Sequence, residues 1–311
     1  MDDVRFVDLL NDKNRFLALE GIDCTGKGSI TRIIEQKGLG VPDVKVKRVD
    51  FPQYDLPSGA MIKAYLNGEY GNYSRLLSSV PGENAVEWHA IATGRAEHLV
   101  KEIRFVMWLY ALNRIDYFKR NEIEPDTVYV FDRFSYSNII HHLSSLYFFY
   151  EFGAGEQLLQ MKWRAESLHK EISFKEFKED RIYGMLSSLY SEIYSYESYY
   201  DIPEAYTFLL LLGYNDILHR LEKRSETKHE GEDILERRDA IYRAVVFLSN
   251  KMMPFHLSRG LVPIVINAYR SDNEAIADDI IDIYKTAVIN NISPEDLDEI
   301  IEEDTEEETD E

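Results

Sequence analysis

The sequence predicts an α/β protein, a five-stranded parallel sheet with helices on both faces. Two observations predict it. Five apolar runs, Phe16 to Leu19, Val44 to Val49, Thr127 to Phe131, Ala205 to Leu212 and Leu261 to Asn267, have the length and side-chain character of strands. Segments with helical spacing separate them, and strands alternating with helices make right-handed parallel crossover units. In such folds ligands sit at the carboxyl ends of the strands.

The elements follow in order. Residues 1–14 hold a short helix or strand. Phe16 to Leu19 is a buried strand, and Ser29 to Gln36, with Ile30, Ile33 and Ile34 apolar, is the helix after it. Val44 to Val49 alternates valine with lysine and arginine. It runs into Asp50-Phe51-Pro52-Gln53-Tyr54, after which Ser58 is placed to cap a helix ending at Asn67-Gly68. Residues 69–100 are less regular, with a turn at Pro81-Gly82. Helices are expected over Glu102 to Lys119 and Ser135 to Tyr150, on either side of the third strand. Residues 151–198 are mostly helical and crowded with tyrosines toward their end. Asn215 to Lys223 is a helix, Ser225 to Glu232 a charged loop, Ile234 to Ser258 a long helix and Asn273 to Val288 the last one. There are no internal repeats. Residues 1–290 read as one domain with insertions at about 69–100 and 151–198.

The chain has 311 residues, is 45% hydrophobic and 13% aromatic, and can bury a sizeable core. No apolar run is long enough to span a bilayer. Met1 to Asn14 mixes acids and asparagines among its apolar residues, unlike a signal peptide. One cysteine excludes an internal disulfide framework. Together these predict a soluble, cytoplasmic protein without a membrane partner. The formal charge is −21; twelve acids lie between Glu295 and Glu311, leaving −9 for the rest. An acidic body argues against a nucleic-acid partner. Residues 291–311 read as a disordered, solvating tail.

Between the first strand and its helix stand Gly21, Gly26, Lys27, Gly28 and Ser29. Strand, glycine-containing turn and helix is the context of a phosphate-binding loop. Backbone N–H groups at a helix start form an anion site, and Lys27 adds a point charge that can follow a phosphoryl group. Gly21, Cys24, Thr25, Gly26, Lys27, Gly28 and Ser29 are the candidate phosphate contacts. Where a magnesium-binding hydroxyl usually follows the lysine stands Gly28, with Ser29 one residue later. At the end of the third strand, Asp132 can hold magnesium and Arg133 can fork onto a phosphate. The plain alternative is an ion pair capping the sheet. Cys24, in an anion-binding loop, is either a reactive thiol or a small inert filler.

From Phe16 to Asn138 the chain resembles thymidylate kinase. The resemblance rests on Glu20-Gly21-Ile22-Asp23 with Gly26-Lys27, on Phe51-Pro52-Gln53-Tyr54 with Ser58-Gly59, on Leu109 to Arg114, and on Asp132-Arg133-Phe134-Ser135-Tyr136-Ser137-Asn138. It thins downstream to Glu222-Lys223-Arg224, Arg237-Arg238 and Ile241-Tyr242, and covers about two thirds of the chain. It implies a P-loop kinase fold with ATP as donor, Mg2+ as cofactor, dTMP as acceptor, and a homodimer formed through helices. It implies that Tyr110 stacks on the base, Arg114 bonds a base carbonyl and Asn138 reads the base edge. Asp23 takes the sugar 3′-hydroxyl, Phe51 and Tyr54 line the acceptor pocket, and Tyr242 belongs to the acceptor side. His141 stands where an aromatic often excludes a 2′-hydroxyl. Adenylate-kinase-type loops also read Gly-Lys-Gly-Thr, so Gly28 is a known variant. The transition-state arginine comes from the loop or from the lid. The loop position is Cys24, so the lid, residues 223–233, supplies it, with Arg224 first and Lys223, Lys228 and Arg220 behind.

Three readings follow: a thymidylate-type kinase using Lys27, Asp132, Arg133 and Arg224, with magnesium at Ser29 and Asp132; a kinase of broader acceptor range; or a nucleotide-binding scaffold with little turnover.

Overall fold

The computed structural model of the chain describes residues 5–21, 24–70, 85–166, 172–212, 220, 264–268 and 272–293. The elements are α1 (Phe6–Leu9), β1 (Phe16–Glu20), α2 (Lys27–Lys37), β2 (Lys45–Asp50), α3 (Pro57–Leu66) and α4 (Ala85–Arg120). They continue with β3 (Thr127–Asp132), α5 (Tyr136–Phe152), α6 (Ala154–Glu166), α7 (Phe174–Tyr199), β4 (Tyr206–Leu211), β5 (Ile264–Asn267) and α8 (Asn273–Ile289). The protein is an α/β fold with one five-stranded sheet, ordered β2-β3-β1-β4-β5 and parallel throughout.

Central β1 is buried along its whole length, because both its faces are covered. Leu17 and Leu19 face a core shared with Ile30 and Ile34 of α2 and Ile276, Ile280 and Tyr284 of α8. Phe16 and Ala18 face the other way, into an aromatic layer with Phe51, Tyr117, Phe131 and Phe134. Phe131 and Phe134 stack with centroids 4.6 Å apart. A separate core joins α4, α5, α6 and α7 through residues such as Leu99, Ile103, Leu143, Leu186 and Ile193.

Two expectations are corrected. The helix expected from Glu102 begins at Ala85. Its first half is held by Ala92, Ala96 and Leu99, a stripe in which two of the three residues are small and which is flanked by His89 and Arg95. Ser58 does not cap α3; the N-cap is Leu56, with Pro57 in the first turn. The Ser58 hydroxyl instead donates to Asp116 at 2.8 Å, tying α3 to α4. The described residues of the segment 151–198, those up to 166 and from 172, are mostly helical as expected, and α7 opens with a reciprocal capping box between Ser173 and Glu176. The expected turn at Pro81-Gly82, the elements between Asn215 and Ser258 apart from Arg220, and residues 294–311 of the acidic tail lie outside the described residues.

Candidate active site

The loop after β1 is shaped by close approaches. A side chain on Gly21, at φ 134°, would meet the Leu210 carbonyl of β4 at 2.6 Å, so only glycine fits there. Glu20, the last residue of β1, is fully buried. Its carboxylate accepts the backbone N–H groups of Phe134 (3.0 Å), Tyr136 (2.8 Å) and Ser137 (3.0 Å), and the Ser137 hydroxyl as well. Burial pushes the Glu20 carboxyl up from its ordinary range, against the pull of these donors. The Gly21 N–H donates to the Ser137 hydroxyl at 2.9 Å. Glu20 and Ser137 therefore clamp the turn after β3 to the loop after β1. The sequence shows both residues inside motifs but carries no signal for this clamp.

A cavity of about 230 Å³ opens at this end of the sheet. Cys24 and Gly26 to Ser29 line it on the loop side; Arg32, Asp132 and Arg133 complete it. Arg133 has φ 67° and Cys24 φ 68°, strained values for residues with side chains. Lys27, in the first turn of α2, donates to the Thr25 hydroxyl at 3.3 Å. Three cations, Lys27, Arg32 and Arg133, thus share one cavity with one carboxylate at a helix N-terminus, an arrangement suited to a polyanion.

Gly28 now has a physical reason. A Cβ there would stand 2.8 Å from the Asp132 Oδ2 atom. The carboxylate fills the space that a side chain after the lysine would take. Arg48 Nη2 donates to the same oxygen at 3.2 Å and lies 2.5 Å from Asp50 Oδ1. Arg32 and Arg48 were both missed by sequence reasoning. Arg32 follows Gly28 by four residues on α2, a spacing that could have found it. Arg48 reaches Asp132 only through the pairing of β2 with β3, which local spacing does not reveal.

The structure also places one of the candidate arginines, just before the expected lid. Arg220 donates from Nη1 to the Cys24 carbonyl at 2.9 Å, so it reaches the loop. Arg224, Lys223, Lys228, Tyr242 and Asp23 lie outside the described residues.

The other expected contacts lie in packed surroundings. Arg114 is 1% exposed; its Nε donates to Glu197 Oε1 at 2.6 Å, its Nη2 donates to the same oxygen, and Nη1 donates to the Phe134 carbonyl at 2.9 Å. Glu197, near the end of α7, also accepts the Ser135 hydroxyl at 2.7 Å. The Asn138 amide donates to the Phe134 carbonyl at 3.0 Å. Phe51 is in the aromatic core, 5.4 Å from Tyr117 and 5.6 Å from Phe131 by ring centroids. Tyr110 is buried with its ring 5.1 Å from that of His142, and His141 lies 5.6 Å from His142. Tyr54 is exposed, with Lys63 5.6 Å from its ring centre. Asn113 holds the Phe51–Ser58 turn, accepting from the Gln53 N–H at 2.7 Å and donating to the Gln53 carbonyl and the Ser58 hydroxyl at 3.0 Å.

No helix among the described residues is long and apolar enough to cross a membrane. No protein-family model and no curated protein matches the chain. Among solved structures it is similar to a thymidylate kinase from Candida albicans, with 15% identity and a TM-score of 0.43 over 88% of this chain and 92% of that one.

Proposed function

We propose that this chain is an ATP-dependent nucleoside monophosphate kinase of the thymidylate type, transferring the γ-phosphoryl of ATP to dTMP to give dTDP and ADP. The observation that carries the reading is the cavity itself: Lys27, Arg32 and Arg133 converge with Asp132 at the carboxyl ends of β1 and β3. Phosphoryl transfer asks little covalent chemistry of a protein. It needs donor phosphates held, the acceptor oxygen aligned and the equatorial charge neutralised.

Lys27 and the loop N–H groups would hold the β- and γ-phosphates. Arg133 would fork onto the acceptor phosphate, whose oxygen attacks phosphorus as the bond to the bridging oxygen breaks. Arg32 would offset charge on the transferred group. Arg220, already bonded to the loop, and Arg224 are the arginines that would complete the charge shell.

The oxygen donors Asp132 and Ser29 suit Mg2+. Among the described residues no group of three or more His, Cys, Asp or Glu side chains could hold a metal ion. The nucleotide phosphates would therefore complete the coordination, as Mg2+ commonly requires. When bound, Mg2+ would neutralise charge on the β- and γ-phosphates.

A second reading keeps the chemistry and widens the acceptor. What favours it is that Arg114 and the Asn138 amide are bonded to protein partners, Glu197 and the Phe134 carbonyl. The test is a coupled ADP-release assay with ATP and magnesium, offering dTMP, dUMP, dGMP, dCMP, dAMP and UMP in turn. Turnover on dTMP well above the rest supports the first reading, and comparable turnover on several supports the second. No turnover on any of them overturns both.

A further inference from the structure

We propose that Arg48 is the resident counter-ion of Asp132, and that a divalent cation arriving with the nucleotide must displace it. This inference rests on the kinase reading above.

Asp50 and Asp132 are paired across β2 and β3, so their carboxylates project from neighbouring strands at the same level. Arg48 lies two residues before Asp50 on the same face of β2. Its Nη2 serves both acids, at 2.5 Å from Asp50 Oδ1 and 3.2 Å from Asp132 Oδ2. The two guarded side chains are largely covered, 14% exposed for Arg48 and 17% for Asp132, while Asp50 is 56% exposed. The backbone N–H of Arg48 is bonded to Glu35 of α2 at 2.9 Å, which pins the strand beside the loop helix.

The contested atom is Asp132 Oδ2. It is the oxygen that sits where a side chain on residue 28 would stand, 2.8 Å from that Cβ position. Arg48 Nη2 is 3.8 Å from the same position. A cation that coordinates this oxygen from the cavity meets the guanidinium as a competitor for its lone pairs. Asp50 gives Arg48 somewhere to remain once released, so the exchange costs one partner and not both. Arg48 Nε is buried with no partner, which leaves the guanidinium a donor to use when it turns.

The full chain, saturated with ADP, is titrated with Mn2+ and followed by electron paramagnetic resonance, which counts bound metal without any turnover. Arg48→Gln is expected to bind Mn2+ about threefold to tenfold more tightly than the parent, the size expected for a partly covered ion pair removed from competition. Arg48→Lys, which keeps charge but loses the fork, should fall between the two. Asp132→Asn should bind more weakly than the parent. Unchanged or weaker Mn2+ binding by both Arg48 variants, with the Asp132→Asn loss intact, overturns the counter-ion proposal and leaves the kinase reading standing. Absence of ADP-dependent Mn2+ binding in the parent overturns both. Circular dichroism on each variant keeps a folding defect from passing as a metal effect, because misfolding cannot tighten the site.

Discussion

The two regions in which the sequence placed ligand contacts are built on opposite plans. At the loop after β1, cations and a carboxylate face a cavity, and the backbone around them is strained at Cys24 and Arg133. On the helical side, Arg114 and Asn138 are buried and bonded to the protein's own Glu197 and Phe134. The first plan spends folding energy to hold groups ready for a ligand. The second gains stability by satisfying each polar group internally. The partner that closes the helical side, Glu197, comes from α7, one of the two segments that the resemblance does not cover. The lesson is that a motif marks which residues meet, whereas elements packed on it from elsewhere in the chain decide whether they face a cavity or each other.

This contrast predicts opposite mutational signatures. Lys27→Met should lower turnover on the order of 10³-fold, the loss typical of one preorganised charge in a transition state. Its melting temperature should stay within about 2 °C of the parent, a change of no more than roughly 1 kcal/mol for a chain of this size. Steady-state kinetics beside thermal melting check it. A large fall in melting temperature with little loss of turnover would place Lys27 with the structural groups and erase the comparison.

Arg114→Met should behave the other way. Removing one partner of a buried ion pair leaves Glu197 uncompensated and costs ~3–5 kcal/mol, read as a melting temperature lower by about 10 °C. Arg114→Met with Glu197→Leu should recover much of that loss, since an apolar pair of similar volume is tolerated. A variant whose stability is intact but whose acceptor KM rises would show that Arg114 reaches the ligand, and the two plans would merge.

How far the sequence alone reaches follows the same division. The inner strands were legible because each is a short, nearly continuous apolar run buried on both faces, as in Phe16 to Leu19 and Thr127 to Phe131, and edge strand β2 was legible from its alternation of valine with lysine and arginine. The loop residues were legible because local spacing determines them: Gly21, Gly26 and Lys27 need only the strand before and the helix after. The start of α4 was not, since its buried stripe is carried by Ala92 and Ala96, whose apolar signal is weak. Ser58 looked like a cap because capping is a local rule, while its partner Asp116 is 58 positions away. Arg48 and Glu197 were out of reach for the same reason. Each acts on a residue more than 80 positions distant, Arg48 on Asp132 and Glu197 on Arg114. Strand register and helix packing bring them there, and neither is written in local spacing.

The smallest effect tests the helical side through pH. His142 is buried against Tyr110, and its Nδ1 has no hydrogen-bond partner. Burial, helped by nearby His141, holds the imidazole pKa well below the usual 6.5. Above that ordinary value the ring is neutral folded or unfolded and contributes no pH dependence. As pH falls through it, the unfolded chain binds a proton that the folded chain refuses, so stability should decline. The slope from this one group approaches ~1.4 kcal/mol per pH unit between pH 6.5 and the lowered folded value. Denaturant unfolding at pH 7, 6 and 5, compared with His142→Gln, isolates it from the other histidines, whose slopes are common to both proteins. The difference between the two proteins should shift toward the variant as pH falls. A difference independent of pH would mean that the ring protonates in place, and therefore that the helical side opens to water as the cavity beside β1 does.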